Sequence, residues 1–318
     1  MKELVKVSAI HDSITIQDSH TPEKLISRFF EFLDVSEQST RTYKYGIKQF
    51  MAYLHNENIT MPTRETILAF KKALISKGLK PSTVALYLSS LRRFFSWSSS
   101  EGLYPNVAEG VKSPKQDSSY HKRDYLSGNQ IHEMLQNAQS KRDYAMMLLI
   151  ASCGLRTIEI IRANVEDIRT LGDATILFVQ GKGRSEKNEF VKLSQPVIDA
   201  LKEYLSERGN VKGKEPLFVS ESHRNRGKRL TTRTVSGIAK QAMKRAGYDS
   251  SRLTAHSLRH SAATLALLSG QKLEDVQQFM RHSSIGVTMI YAHNVNRMKS
   301  LCELSVTAAI FGCERLSA

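Results

Sequence analysis

The chain has 318 residues, enough for two hydrophobic cores, because a single core rarely grows past about 250 residues. With 41% hydrophobic and 24% charged residues, its composition excludes an intrinsically disordered protein. Its 46 Lys and Arg against 31 Asp and Glu leave a formal net charge of +15, which favours a polyanionic partner, nucleic acid ahead of an anionic membrane surface.

Residues 1 to about 20 are polar and aperiodic and read as a loose tail. From Thr21 the pattern turns helical. Leu25, Phe29, Phe32 and Leu33 share one face, and Tyr43, Ile47, Phe50 and Leu54 recur at helical steps. Ile67, Phe70 and Leu74 mark a third helix, and Val84, Tyr87, Leu91 and Phe94 a fourth that ends before Gly102. Residues 21–112 therefore read as a small all-α domain. Pro105 and Pro114 break any helix, and the polar, basic stretch 113–123 is expected to be a linker.

A second domain is expected over 124–318. The apolar run 144–153 reads as a buried helix stopped by Gly154. Strands are expected over 174–180 and 189–193, joined by a turn carrying Gly181, Lys182 and Gly183. Helices are expected over 197–208, with Gly209 as stop, then 231–246, 256–269, 272–280 and onward from Ser284. A last amphipathic stretch spans 295–311, and the fold class is mainly α with a small β-hairpin or sheet. Cys153, Cys302 and Cys313 have no paired spacing, so neither a disulfide framework nor a Cys-based zinc site follows, and a reducing cytoplasm fits. The start, Met1-Lys2-Glu3, has no apolar signal core, and no apolar run approaches the roughly 18 residues of a membrane span.

Four motifs carry chemistry. His256, Arg259 and His260 share a helix face, placing proton carriers beside a bidentate phosphate binder. The same two histidines have the spacing of a zinc-protease pair, but Ser257 stands where that motif needs Glu. Arg156 follows a buried helix and a glycine, and Glu159 is three residues on, so the pair is either a surface ion pair or an oriented anion binder. Gly181-Lys182-Gly183 lacks the spacing of a phosphate-binding P-loop, and presents one lysine at a hairpin tip. His282 precedes Tyr291 by nine residues, with Ser283 or Ser284 available to cap the intervening helix.

In order, Gly-Leu-Arg-x-x-Glu, Gly-Lys-Gly after a strand, His-x-x-Arg-His and His…Tyr make the chain resemble the tyrosine recombinases, the Xer proteins and phage or conjugative-element integrases. The resemblance covers about residues 21–300 and includes the family's core-binding, SAM-like domain. One departure is Arg281, where the family usually has Gly; it could alter the local turn or add a DNA contact. Thr157 also replaces a residue that is commonly small or apolar.

The resemblance implies a two-domain C-shaped clamp on duplex DNA, with Tyr291 attacking the scissile phosphate to form a 3′-phosphotyrosyl link. It implies that Arg156 and Arg259 stabilise phosphate charge, with Glu159 in support. It further implies that Lys182 protonates the leaving 5′-oxygen, that His256 accepts the tyrosine proton and that His282 positions the phosphate. No metal, ATP or other cofactor is expected. Arg41, Lys44 and Lys48 form a basic stripe opposite the apolar face of the second helix, and Arg92 and Arg93 add charge to the fourth; all five are candidate DNA contacts. The expected target is double-stranded DNA with an inverted-repeat core site, recombined through a Holliday junction by a homotetramer that exchanges its C-terminal helix, with accessory proteins possible. The expected role is integrating, excising or resolving a mobile element, in the cytoplasm and on the nucleoid when bound. A type IB topoisomerase and a non-catalytic DNA-binding regulator are the rival readings.

Overall fold

The computed structural model describes residues 22–115, 124–181 and 183–311; the expected tail 1–20 and most of the linker 113–123 lie outside them. The chain divides into two units, Met1–Asp117 and Ser118–Ala318.

In the first unit the four amphipathic patterns form α1 (Pro22–Phe32), α2 (Glu37–Asn56), α3 (Arg64–Ser76) and α4 (Pro81–Ser100). Local chemistry sets the starts: Ser36 Oγ accepts from the Ser39 N–H at the head of α2, and Pro81 opens α4, where its missing N–H costs nothing. The apolar faces meet in a core built on Phe29, Ile67, Val84 and Leu91, with Phe50, Phe70 and Trp97 around them. Gly46 lets α2 approach α4 closely, since a Cβ there would lie 2.6 Å from Ser90 Oγ. Phe32 is a correction: it is 52% exposed, because it falls on the flank of the stripe that Phe29 and Leu33 define, and its ring lies 6.2 Å from that of Trp97 at a 37° tilt. After α4 the chain folds back, burying Ala108 and Val111.

In the second unit, α6 (Lys141–Cys153) is the central element. Met146, Met147 and Leu149 on it are fully buried, and it packs against α8 (Gln195–Arg208) and α10 (Ala255–Leu268). Around these lie α5 (Gly128–Gln136), α7 (Thr157–Arg162), α9 (Thr232–Arg245), α11 (Leu273–Met280), α12 (Ile285–Lys299) and α13 (Cys302–Phe311). A three-stranded antiparallel sheet runs β1-β2-β3, from β1 (Ile168–Leu171), β2 (Ala174–Val179) and β3 (Glu189–Lys192). Its register pairs Ile168 with Leu177 and Leu177 with Val191.

The sheet thus has one strand more than expected. β1 has only four residues, three of them exposed, and so carries no alternating apolar signal. The C-terminal stretch 295–311 is also corrected: it is not one helix. α12 ends at Lys299, Ser300 is extended, and α13 starts afresh. Val295 belongs to α12 and is buried one turn beyond Tyr291, whereas Leu301, Leu304, Val306 and Ile310 are 40–69% exposed. The Met298 side chain lies outside the described residues. No helix among them is long and apolar enough to cross a membrane.

Candidate active site

The site begins where α6 stops. Gly154 takes the left-handed conformation (φ 59°, ψ 33°) and turns the chain, and a Cβ there would sit 2.9 Å from Met280 Sδ. The turn places Arg156 at the head of α7 and leaves the Gly154 carbonyl pointing into a cluster of guanidiniums.

Glu159, fully buried, organises that cluster. Its carboxylate accepts from the Arg156 backbone N–H at 2.8 Å, from Arg156 Nη1 at 2.8 Å and from Arg281 Nη2 at 2.9 Å. Burial pushes its pKa up, but the Arg281 charge, the Arg156 N–H and the Arg156 and Arg259 charges outweigh it and hold the carboxyl below its ordinary value. Glu159 is therefore ionised at neutral pH.

Arg259 projects from α10 and is 4% exposed. It donates to the carbonyls of Gly154 and Met280, which ties α10 to the end of α6 and the end of α11. Burial first, then the Arg156 charge, draws its pKa down to about 9, still well above neutral, so the cation persists. Arg156 Nη2 donates to the Arg281 carbonyl at 3.2 Å. Arg281 itself, at the end of α11, takes a left-handed backbone (φ 52°, ψ 49°) and turns its guanidinium inward. Three buried or half-buried cations thus surround one carboxylate, an imbalance suited to an anionic ligand.

Beside the cluster lie the rings. Tyr291 on α12 is 5% exposed and packs with Ala263, Val276 and Met280. The His260 ring is 5.1 Å from it at a 41° tilt, and the His282 ring stacks at 6.2 Å and 13°. His256 is exposed and meets His260 edge-on at 5.9 Å. His282 Nδ1 shares a 2.9 Å hydrogen bond with Thr288 Oγ1. Burial, followed by the Arg259, Arg156 and Arg281 charges, lowers its pKa to about 4, so it is neutral at pH 7.

The structure therefore brings Arg156, Glu159, Arg259, His256, His282 and Tyr291 into one neighbourhood. Lys182 lies outside the described residues. Beside it, the Gly181 carbonyl accepts from Arg162 Nη1 at 2.9 Å, and Gly183 has φ 77°. Three participants were not assigned from the sequence: His260, Thr288 and the inward-turned Arg281. His260 shares a helix face with Arg259 in the sequence, but the family pattern gives a role to His256 alone. Among the described residues no group of three His, Cys, Asp or Glu could hold a metal ion.

The basic residues of the first unit differ in setting. Arg41 is exposed and pairs with Glu37 at 2.5 Å. Lys44 lies 5.1 Å over the Phe30 ring, and with Lys48 it borders a groove of about 450 Å³ that Ile26, Phe30 and Met51 also line. Arg92 is half-buried, donating to the Val111 carbonyl at 2.9 Å and Ser113 Oγ at 3.2 Å, which pins the segment after α4. Arg93 is exposed.

The model of the phage integrase family matches residues 124–298, and that of the phage integrase N-terminal SAM-like domain matches residues 26–102. Tyrosine recombinase XerC of Vibrio atlanticus is 32% identical over 290 residues, covering 85% of this chain and 88% of the relative. The fold is similar to the XerH site-specific recombinase bound to a palindromic difH substrate, with a TM-score of 0.71 and 21% identity, over 92% of this chain and 85% of that one. It is also similar to a lambda integrase tetramer bound to a Holliday junction, with a TM-score of 0.63 and 21% identity, over 86% and 78% of the two chains.

Proposed function

The chain belongs to the phage integrase family and is an Xer-like site-specific tyrosine recombinase that cleaves and rejoins DNA, and on that premise we propose that Tyr291 is its nucleophile. The observation that carries the assignment is the position of Tyr291, held between His260 and His282 beside the Arg156–Glu159–Arg259 cluster.

In this reading the Tyr291 hydroxyl oxygen attacks the scissile phosphorus. The P–O bond to the 5′-oxygen breaks, and the 3′-phosphate stays on the enzyme as a phosphotyrosyl ester. Once Tyr291 has left its buried position against His260, its phenolic proton passes to the exposed His256, and Lys182 supplies a proton to the departing 5′-oxygen. Arg156 and Arg259 hold charge on the non-bridging oxygens, already oriented by Glu159 and by the Gly154 and Met280 carbonyls, so little reorganisation is needed as charge develops. His282, neutral and fixed by Thr288, hydrogen-bonds the phosphate. With the phenol 5% exposed, attack requires α12 to carry Tyr291 outward onto the phosphate. The ester conserves the energy of the broken bond, so rejoining needs no ATP.

The substrate in this reading is duplex DNA with an inverted-repeat core site, recombined through a Holliday junction to integrate, excise or resolve a mobile element. The XerH and lambda complexes, on a palindromic substrate and as a tetramer on a junction, support it. Residues 21–112 grip the core site, with Arg41, Lys44, Lys48 and Arg93 on phosphates, and Arg92 through the part of its guanidinium that Val111 and Ser113 leave available. α13 docks on a neighbouring protomer, because Val306 and Ile310, each more than half exposed, are too apolar for a lone surface. Removing residues 300–318 is expected to spare DNA binding and abolish synapsis; undiminished recombination would contradict the exchange.

The test of the assignment is to incubate the protein, without metal, with nicked suicide duplexes drawn from DNA flanking its gene, and denature in SDS. A covalent protein–DNA band is expected, and Y291F should lack it. A band that persists in Y291F moves the nucleophile elsewhere.

A further inference from the structure

Arg281 occupies a position that costs the fold something. Its backbone is left-handed (φ 52°, ψ 49°), a conformation in which a Cβ is disfavoured and glycine is at ease. Its side chain is 5% exposed, and its Nε has no hydrogen-bond partner among the described residues. A glycine would relieve both the backbone strain and the buried donor. The return on keeping an arginine must therefore lie in what its guanidinium touches.

Its contacts are shared with both arginines of the phosphate cradle. Arg281 Nη2 donates to Glu159 Oε2 at 2.9 Å, while Arg156 Nη1 donates to the other oxygen of the same carboxylate. The same Nη2 donates to the Gly154 carbonyl at 3.1 Å, which also accepts from Arg259. Nη1 donates to the Phe279 carbonyl at 2.8 Å, anchoring the fork to the end of α11, and the Arg281 carbonyl accepts from Arg156 Nη2 at 3.2 Å. One residue thus touches the acceptor that orients Arg156, the acceptor that orients Arg259, and Arg156 itself.

We propose that Arg281 is a positioning residue of the recombinase reaction, a guanidinium strut that locks Arg156 and Arg259 in register with each other and with the start of the segment carrying His282 and Tyr291. The inference rests on the assignment of Arg156 and Arg259 as the phosphate cradle. It goes beyond that assignment because the strut acts through the two arginines rather than on the phosphate. Removing it leaves the cradle's members present but loosely held, which lowers the rate of the chemical step and leaves duplex binding, a property of many distributed phosphate contacts, largely intact.

The test compares the parent chain, R281G and R281K on one suicide duplex at saturating protein, reading the single-turnover rate of covalent complex formation and, separately, the Kd for the uncleaved duplex. Covalent complex with the parent and none with Y291F upholds the underlying assignment whatever the Arg281 variants do. The proposal expects R281G to bind within about threefold of the parent and to cleave at least tenfold more slowly, with R281K between the two, because an ammonium keeps the charge but lacks the planar fork. R281G cleaving at the parental rate overturns it, and so does a loss in R281G that appears entirely as weaker binding. Should R281G fail to fold, R281K decides alone: a parental cleavage rate with lysine overturns the strut.

Discussion

Replacing Glu159 by Gln leaves the shape of the site almost unchanged and removes the charge at its centre. The carboxylate accepts three N–H groups, two of them from guanidiniums, at 2.8, 2.8 and 2.9 Å. A glutamine offers one oxygen, so its amide nitrogen must face at least one donor. Each hydrogen bond to a charged group is worth roughly 1.5–3 kcal/mol. Breaking a buried ion pair costs roughly 3–5 kcal/mol, and the remaining oxygen softens that figure. The expected loss is about 2–4 kcal/mol of stability in the second unit, or roughly 4–16 °C in its thermal midpoint at about 2–4 °C per kcal/mol for a domain of this size. The pH dependence has a definite sign. The folded pKa of Glu159 lies below its ordinary 4.5, so its contribution is fully present above that value and is lost as pH falls through the folded pKa. Thermal melts of the parent and E159Q should therefore differ most near pH 7 and draw together as pH falls below 4.5 toward the folded pKa. A midpoint within about 1 °C of the parent at pH 7, or a gap that does not vary with pH, would refute the claim that this carboxylate holds the cluster together.

Further outcomes follow from other parts of the structure. Phe29 is fully buried among aromatic rings, so F29A should destabilise the first unit by about 3–5 kcal/mol in urea unfolding, and a loss under about 1 kcal/mol would contradict the core described. If Lys44 and Lys48 each neutralise a phosphate, the double variant K44Q/K48Q should flatten the slope of log K against log salt by about 2, and an unchanged slope removes both from the interface. The His282 pKa of about 4 lies below its ordinary 6.5, so its contribution to stability is present above 6.5 and declines as pH falls toward 4. Its ring signals in NMR should report a neutral imidazole at pH 5.5, and an ordinary titration near 6.5 would contradict the burial and charge around it.

Most of the helices and the motifs were legible in the sequence, because a 3.6-residue apolar period survives in segments that bury one face; the short α5 and α7 were not. α4, with Val84, Leu88 and Leu91 buried, shows that period plainly, and so does α9 with Val235, Ala239 and Ala242. What periodicity could not reveal was geometry set by distant partners. β1 exists because it pairs with β2, and its own four residues carry no pattern. The break at Ser300 is invisible because Val295, Met298, Leu301 and Leu304 keep a helical spacing across it. Arg281 was legible only as a departure from a glycine. Its left-handed backbone and its bond to Glu159, 122 residues earlier, emerge only when α7 and α11 meet. The nearness of His260 to the phenol is another such case: the sequence places two histidines on one helix, and the packing of α12 decides which of them faces Tyr291.

The most direct test of the central claim is to map the covalent bond itself. The protein would be trapped on a suicide duplex, digested with protease, and the peptide left on the DNA identified by mass spectrometry together with the DNA end that carries it. The account predicts a peptide containing Tyr291, joined through its phenolic oxygen to a 3′-phosphate, with the 5′-hydroxyl released on the other side of the break. Attachment through any other residue, or to a 5′-phosphate, would contradict it.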